Sequence, residues 1–325
     1  MCLQAMAPSA GSDAFVKSHF ARSAPALVVV GNSNQLKVLE LEGELNLHLE
    51  SYNPLTHYDF PYISIFGRIR IFFNGFLVIR VGDKLWVCNP ITREVIKLDV
   101  PSDLPTDPQQ SAREVSALGF GASKVVCIKR RSYHDKLECH VYTLGTGSWR
   151  RLEGNPYVYQ FGLSGAFVNG NLHWIATIGE DSSWISCFDL ETECFSFFKA
   201  PPYHARRFPF TKGTSISALS GCLWFCKVAS EFLNSGGRWE LTIWIMKEYG
   251  VDESWSMEYV IRLHDSMRPY YPCRYVDPIK VFENGDLLML VVVNFSDHLF
   301  YYSNKNKTMQ SIDLFGAGET SDRVK

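Results

Sequence analysis

The residues of this 325-residue chain predict an all-β fold, a kelch-like β-propeller of about six four-stranded antiparallel blades. The first sign is a recurring turn of the Asn-Gly or Ser-Gly type that opens onto a run of strand-forming residues. The second is a strand, polar turn, strand unit that follows each such turn after about ten to twenty residues. The third is negative: no helical pattern of ~10–15 residues alternates with these strands, as a βαβ architecture would require.

The turns come in order along the chain. Asn74-Gly75 leads into Phe76-Leu77-Val78-Ile79, and Asn169-Gly170 into Asn171-Leu172-His173-Trp174-Ile175. Ser220-Gly221 leads into Cys222-Leu223-Trp224-Phe225, and Asn284-Gly285 into Asp286-Leu287-Leu288-Met289-Leu290. Both residues of an Asn-Gly pair tolerate positive φ, and a primed turn matches the twist of the strands it joins, so each pair predicts a hairpin. The second unit recurs as Leu85–Leu98 around Asn89-Pro90, as Val141–Leu152 around Gly145-Thr146-Gly147 and as Ile185–Phe195 around Asp189-Leu190-Glu191-Thr192. A more diverged copy is Leu299–Met309.

Together the units fall near 27–66, 67–101, 115–153, 163–201, 213–263 and 277–315, a period of roughly 45–50 residues. No Trp-Asp signature marks them, which disfavours a WD40 reading. Another all-β sandwich assembly is the structural alternative, because evenly spaced strands fit that too. Short helical turns are expected only near Ser111–Glu114 and Met246–Tyr249. The division expected is an N-terminal segment 1–25, a propeller over 26–316 and a flexible C-terminal tail over 317–325. Ala26–Val30 could close the ring in either the first or the last blade.

Composition narrows the function. Hydrophobic residues make up 46% of the chain and charged ones 20%, enough apolar material for a sizeable core. The formal charge of −2 lacks the basic surplus that neutralises phosphates, so nucleic acid is not an expected partner. No run reaches the ~18 apolar residues of a membrane span, and the start has no basic segment followed by an apolar one. The expected location is the cytoplasm, the nucleus or both. Nine cysteines, mostly in apolar runs, read as buried reduced thiols. Cys222 and Cys226, four apart on a strand, stand about 13 Å from each other, too far to share a zinc ion.

Neither a catalytic set nor a metal or cofactor site is expected. His173 beside Trp174 reads as a strand residue, and His264-Asp265 as a polar connector. A copper oxidase would need a Tyr, His and Cys cluster at the hub, and no residue pattern marks one. Trp149, Trp174, Trp244 and Trp255 are expected at equivalent places, packing blade on blade.

The connectors that lead from one blade to the next open on a common face. Three carry an excess of aromatic and arginine side chains: Tyr157, Tyr159 and Phe161, then Tyr203, His204, Arg206, Arg207 and Phe208, then Arg268, Tyr270, Tyr271, Arg274 and Tyr275. Tyr and Arg dominate protein interface hot spots, and loops on a rigid scaffold carry recognition. Packing of the tyrosines on the blades is the competing reading. The basic character of these connectors suits an acidic or phosphorylated segment of a protein partner. The insertion Ala229–Trp239, rich in Ser, Gly and Asn, is either a recognition loop or a solvated hairpin tip.

Several of these segments, taken in order, resemble the plant F-box-associated interaction domain, a kelch-like module found behind an F-box. They are Cys88–Glu94, Gly119-Phe120-Gly121, Val141–Arg151, Asn169–Trp174, Phe188–Glu193 and Ile243–Trp255, and the resemblance runs from about residue 26 to 315. It implies a protein-interaction role without enzyme activity: the substrate receptor of an SCF-type (Skp-cullin-F-box) ubiquitin ligase, which directs its target to ubiquitin-dependent degradation. Before the propeller only Phe15–Ser23 resembles the end of an F-box. The Skp-type adaptor and cullin are therefore expected partners only of a form that carries an F-box. A stand-alone propeller scaffold or regulator is the alternative, and a propeller enzyme the third.

Overall fold

Alternating apolar and polar residues broken by glycine-bearing turns give the chain short strands that pair with their sequence neighbours. The computed structural model describes residues 26–30, 35–40, 56–59, 69–73, 76–81, 84–89, 94–99, 115–121, 123–129, 137–153, 160–178, 182–202, 213–230, 239–263, 273–293, 296–312 and 323–324. Among them, 24 strands form six four-stranded sheets, antiparallel throughout.

The second blade is β4 (Ile69–Phe73), β5 (Phe76–Val81), β6 (Lys84–Cys88) and β7 (Val95–Asp99), and the third is β8 (Val115–Gly121), β9 (Lys124–Lys129), β10 (Glu138–Thr143) and β11 (Trp149–Arg151). The fourth is β12 (Gln160–Val168), β13 (Asn171–Ile178), β14 (Ser182–Asp189) and β15 (Phe195–Lys199). The fifth is β16 (Thr214–Leu219), β17 (Cys222–Ser230), β18 (Trp239–Met246) and β19 (Trp255–Leu263). The sixth is β20 (Cys273–Val281), β21 (Leu287–Val293), β22 (Ser296–Ser303) and β23 (Thr308–Ile312). In each, sequence order is spatial order, and the first strands β4, β8, β12, β16 and β20 pack side by side as the innermost layer.

The first blade departs from this rule. It orders as β24 (Arg323–Val324), β1 (Ala26–Val30), β2 (Gln35–Glu40) and β3 (Thr56–Asp59). The C-terminal segment therefore supplies a strand, with Val29 opposite Val324 and Val30 opposite Arg323. Of the segment 317–325, expected as a tail, the described residues are this strand, which joins the ring through the first blade. A strand of two residues carries no local signal, and only its pairing with β1 reveals it.

Among the described residues, three apolar clusters hold neighbouring blades together. One joins the second, third and fourth blades around Val78, Cys127, Leu172 and Trp174. A second joins the fourth and fifth around Ile185, Phe225 and Trp244, and a third the fifth and sixth around Trp224, Ile243, Leu287 and Met289. Trp149 and Trp255 are equivalent: each begins a fourth strand and donates its indole N–H to the carbonyl that ends the fourth strand of the preceding blade, Asp99 at 2.5 Å and Lys199 at 3.1 Å. Trp174 sits in a second strand and Trp244 in a third, so the expected four-fold equivalence holds for one pair only.

Of the predicted turns, Asn74-Gly75 lies outside the described residues, and the other three hold with one change of type. Asn169 and Gly170 have φ of 51° and 77°, and Ser220 and Gly221 have 52° and 76°, the two positive values of a primed hairpin. At Asn284-Gly285 only Gly285 is positive. There Gly285 N–H bonds Phe282 O and Phe282 N–H bonds Asp286 O, a longer turn closed by a glycine bulge. Lys247–Gly250 is a turn that leads to a 3-10 turn at Asp252–Ser254, while Ser111–Glu114 lies outside the described residues. No helix among the described residues is long and apolar enough to cross a membrane.

Candidate functional site

Antiparallel order gives each sheet two unlike ends. At one end lie the turns between first and second strands and between third and fourth; those of the third to sixth blades are short and internally bonded. Asp189 accepts from Glu191 N–H and Thr192 N–H at 2.8 Å each, and Asp286 accepts from Asn304 N–H at 2.7 Å, Asn284 Nδ2 at 2.8 Å and the Tyr301 hydroxyl. Glu193 receives Lys124 at 2.8 Å and also Arg150, tying the third blade to the fourth. These charges are already engaged with one another.

The opposite end carries the blade-to-blade connectors and the turns between second and third strands. Of the predicted binding residues, Tyr157, Tyr159, Tyr203, His204, Arg206, Arg207, Phe208, Arg268, Tyr270 and Tyr271 lie outside the described residues. Phe161, Arg274 and Tyr275 fall inside strands β12 and β20 and not in connectors.

The register of the fifth blade shows what the connectors share. Ser230, Trp239 and Leu263 stand in one row across β17, β18 and β19. From that row spring the segments 231–238 and 264–272. Gly213, the last residue of the connector 203–213, accepts the Val228 N–H at 2.6 Å, two residues from the same row. Two of the three aromatic and arginine-rich connectors and the predicted recognition loop thus attach to one sheet end. Over 203–214, 226–242 and 260–276 there are eight basic residues (Arg206, Arg207, Lys212, Lys227, Arg238, Arg262, Arg268, Arg274) against three acidic ones (Glu231, Glu240, Asp265), in a chain whose overall charge is −2. The segments that leave or border this sheet end are thus net basic in sequence, and net positive charge attracts anionic groups.

One of these cations is part of the framework. Lys227 is 8% exposed, pairs across the sheet with Thr214 at the start of the innermost strand and donates to Thr214 Oγ1 at 2.9 Å. Burial lowers its pKa to about 8. Lys129 holds the matching place in the third blade, opposite Val115 at the start of β8. It is fully buried, 3.5 Å from Glu138, which also lies 3.3 Å from Arg151. Sequence reading missed both lysines, although a lysine closing an apolar run such as Val125-Val126-Cys127-Ile128-Lys129 was visible.

A Tyr, His and Cys group does exist, away from the hub. Tyr249, on the turn of the fifth blade, meets His173 Nε2 at 2.8 Å and Cys187 Sγ at 3.5 Å on the second and third strands of the fourth. His173 Nδ1 lies 3.3 Å from Ala166 O; an N–H there donates to the carbonyl, so Nε2 accepts from the tyrosine hydroxyl. Burial depresses the His173 pKa to about 4. The imidazole is neutral at pH 7 and serves as a latch between blades. Cys88, Cys127, Cys139, Cys187 and Cys226 are buried, Cys222 half-buried and Cys194 exposed. Among the described residues no three His, Cys, Asp or Glu side chains gather as metal ligands.

A propeller whose short turns are closed on themselves, and whose opposite end gathers connectors and positive charge, defines a scaffold of the binding type. The chain belongs to the family of the F-box associated beta propeller domain, which matches residues 26–324. An F-box/kelch-repeat protein of Arabidopsis thaliana is 28% identical over 236 residues, 68% of this chain and 59% of that protein. Another F-box protein of that plant is 37% identical over 117 residues, 35% of this chain and 25% of the relative. The F-box protein CPR1 of Arabidopsis thaliana is 24% identical over 336 residues, 92% of this chain and 76% of that one. The matched part is thus under two thirds of the first two relatives' length.

Proposed function

We propose that this chain is the target-recognition part of an SCF-type ubiquitin ligase, acting in the cytoplasm or nucleus without chemistry of its own. The observation that carries this reading is the convergence of two Tyr- and Arg-bearing connectors and a loop on the basic end of the fifth blade, in a member of the F-box associated propeller family. Arg forks pair with carboxylates and phosphates, so the target segment is acidic or phosphorylated. An F-box joined to the propeller would hold the Skp-type adaptor, while the propeller holds the target.

Affinity capture compares the wild-type chain with Arg206→Ala/Arg207→Ala. Proteins that copurify with the wild type are expected to drop out with the double mutant and to dissociate as salt rises. Unchanged capture by a normally melting double mutant refutes the anionic-target reading. Binding of the purified chain to a Skp-type adaptor is measured alongside. Target capture without adaptor binding assigns this form to the scaffold or regulator role.

A further inference from the structure

We infer that the outer edge of the fifth blade is a self-pairing surface, through which two copies of this chain join β19 to β19 antiparallel about Val260. This goes beyond the proposed target recognition and does not depend on it. Outer propeller strands are sheet edges, and proteins keep such edges short or charged to prevent unwanted pairing. The outer strands β7, β15 and β23 have five residues each and β11 has three, whereas β19 has nine. It pairs with β18 from Trp255 to Leu263 with one bulge, and among the described residues no strand covers its other side.

The side chains along this edge are unusual for a solvated rim. Met257 is 58% exposed and Val260 44%, while Tyr259 and Ile261 between and beyond them are buried in the core. Glu258 and Arg262 are exposed on either side of Val260. Antiparallel pairing about Val260 sets Val260 against its own copy, Tyr259 against Ile261 of the second copy and Glu258 against Arg262 of the second copy. The symmetry repeats the last two, so every charge meets its opposite and the exposed valines meet each other, which are the cross-strand pairs that stabilise a sheet. The same operation on β11 would set Arg150 against its own copy, a repulsive match.

Lys247 holds Glu258 at 2.6 Å and keeps the carboxylate ionised on the exposed face. The bulge at Glu258, where β19 shifts against β18 between Ile243 and Trp244, lies at the margin of the paired stretch. From Tyr259 to Leu263 the register is unbroken.

Sedimentation of the purified chain across micromolar concentrations tests the inference. The wild type is expected to dimerise, and Glu258→Arg and Arg262→Glu are each expected to weaken the dimer about tenfold or more, since each turns two attractive pairs repulsive. An equimolar mixture of the two variants restores opposite charges at both pairs and is expected to dimerise again. Thermal melts of each variant establish that it is folded. A monomeric wild type, a dimer insensitive to both reversals, or a mixture no more associated than its components overturns the inference; in the first case the edge stands open to an extended segment of another protein.

Discussion

Replacing Gly119 by alanine tests whether the third and fourth blades meet across a gap sized for the Trp174 ring. A Cβ at 119 would stand 2.7 Å from Leu172 Cδ1 and 2.9 Å from Trp174 Cζ2. From the other side Gly165 hems the same ring, since a Cβ there would lie 2.7 Å from Nε1 and 2.9 Å from Cδ1. Two effects oppose. Alanine reduces the freedom of the unfolded chain and stabilises by about 0.4–1 kcal/mol, while overpacking a filled core costs about 1–3 kcal/mol. Leu172 and Trp174 are both fully buried and have no solvent to retreat into, so the clash wins by about 1–2 kcal/mol.

That loss lowers the melting temperature by roughly 1.5–3 °C in a chain of this size, readable by far-UV circular dichroism. Trp174→Phe alone also destabilises, because it removes ring area and the N–H bond to Leu118 O at 3.3 Å. The smaller ring makes room for the new methyl group, however, so the double mutant should fall short of the sum by about 1 kcal/mol. Gly147→Ala is the control: it has φ of +78° and no neighbour within 4 Å, so it loses backbone freedom without coupling to Trp174. A Gly119→Ala protein as stable as wild type, or strict additivity with Trp174→Phe, refutes the packing argument.

The His173 latch makes stability depend on pH. Its folded pKa, about 4, lies below the ordinary histidine value of 6.5, so the unfolded chain binds the proton first and stability falls as pH drops from about 6.5 to 4, by about 3 kcal/mol. Denaturation at pH 7, 5.5 and 4 should show this slope in the wild type and lose it in His173→Gln. Tyr249→Phe strands a buried imidazole nitrogen, for an expected loss of about 1–3 kcal/mol at pH 7 in chemical denaturation. Trp149→Phe and Trp255→Phe each remove one matching N–H to carbonyl bond and should cost similar amounts, about 1 kcal/mol each. Glu193→Gln weakens both ion pairs between the third and fourth blades and should lower the melting temperature, with the difference shrinking at high salt.

Much of the architecture was legible because a blade is a local object. Its turns, such as Asn169-Gly170, and its alternating strands lie within a few tens of residues. What escaped the sequence was what depends on distant partners. β24 exists because Val324 meets Val29, and neither residue announces the other. The four tryptophans read as one set, but which of them staples a neighbouring blade depends on strand position, which only the register fixes. The connectors showed their chemistry in Tyr and Arg content. That two of them and the loop 231–238 start from one sheet end became visible only when Ser230, Trp239 and Leu263 fell in a row.

On the proposed reading, stability and recognition occupy opposite ends of the sheets, and Lys227 stands where the two concerns meet. At the short-turn end Glu193 and Asp286 are enclosed in their own bonds, so substitutions there act on folding. Arg206 and Arg207, in a connector at the other end, are expected to act on capture. A buried lysine is a poor device for stability alone, because desolvating a cation offsets what its hydrogen bond contributes. Its pKa, lowered from 10.5 to about 8 by burial, means the unfolded chain holds the proton more tightly. Stability therefore rises with pH between about 8 and 10.5, by up to about 3 kcal/mol. Lys227→Met should abolish that rise and leave stability at pH 7 within about 2 kcal/mol of wild type or above it, while weakening capture of an anionic target. If the variant captures as well as wild type and melts lower, Lys227 serves the core through its bond to Thr214 and has no part in the binding end.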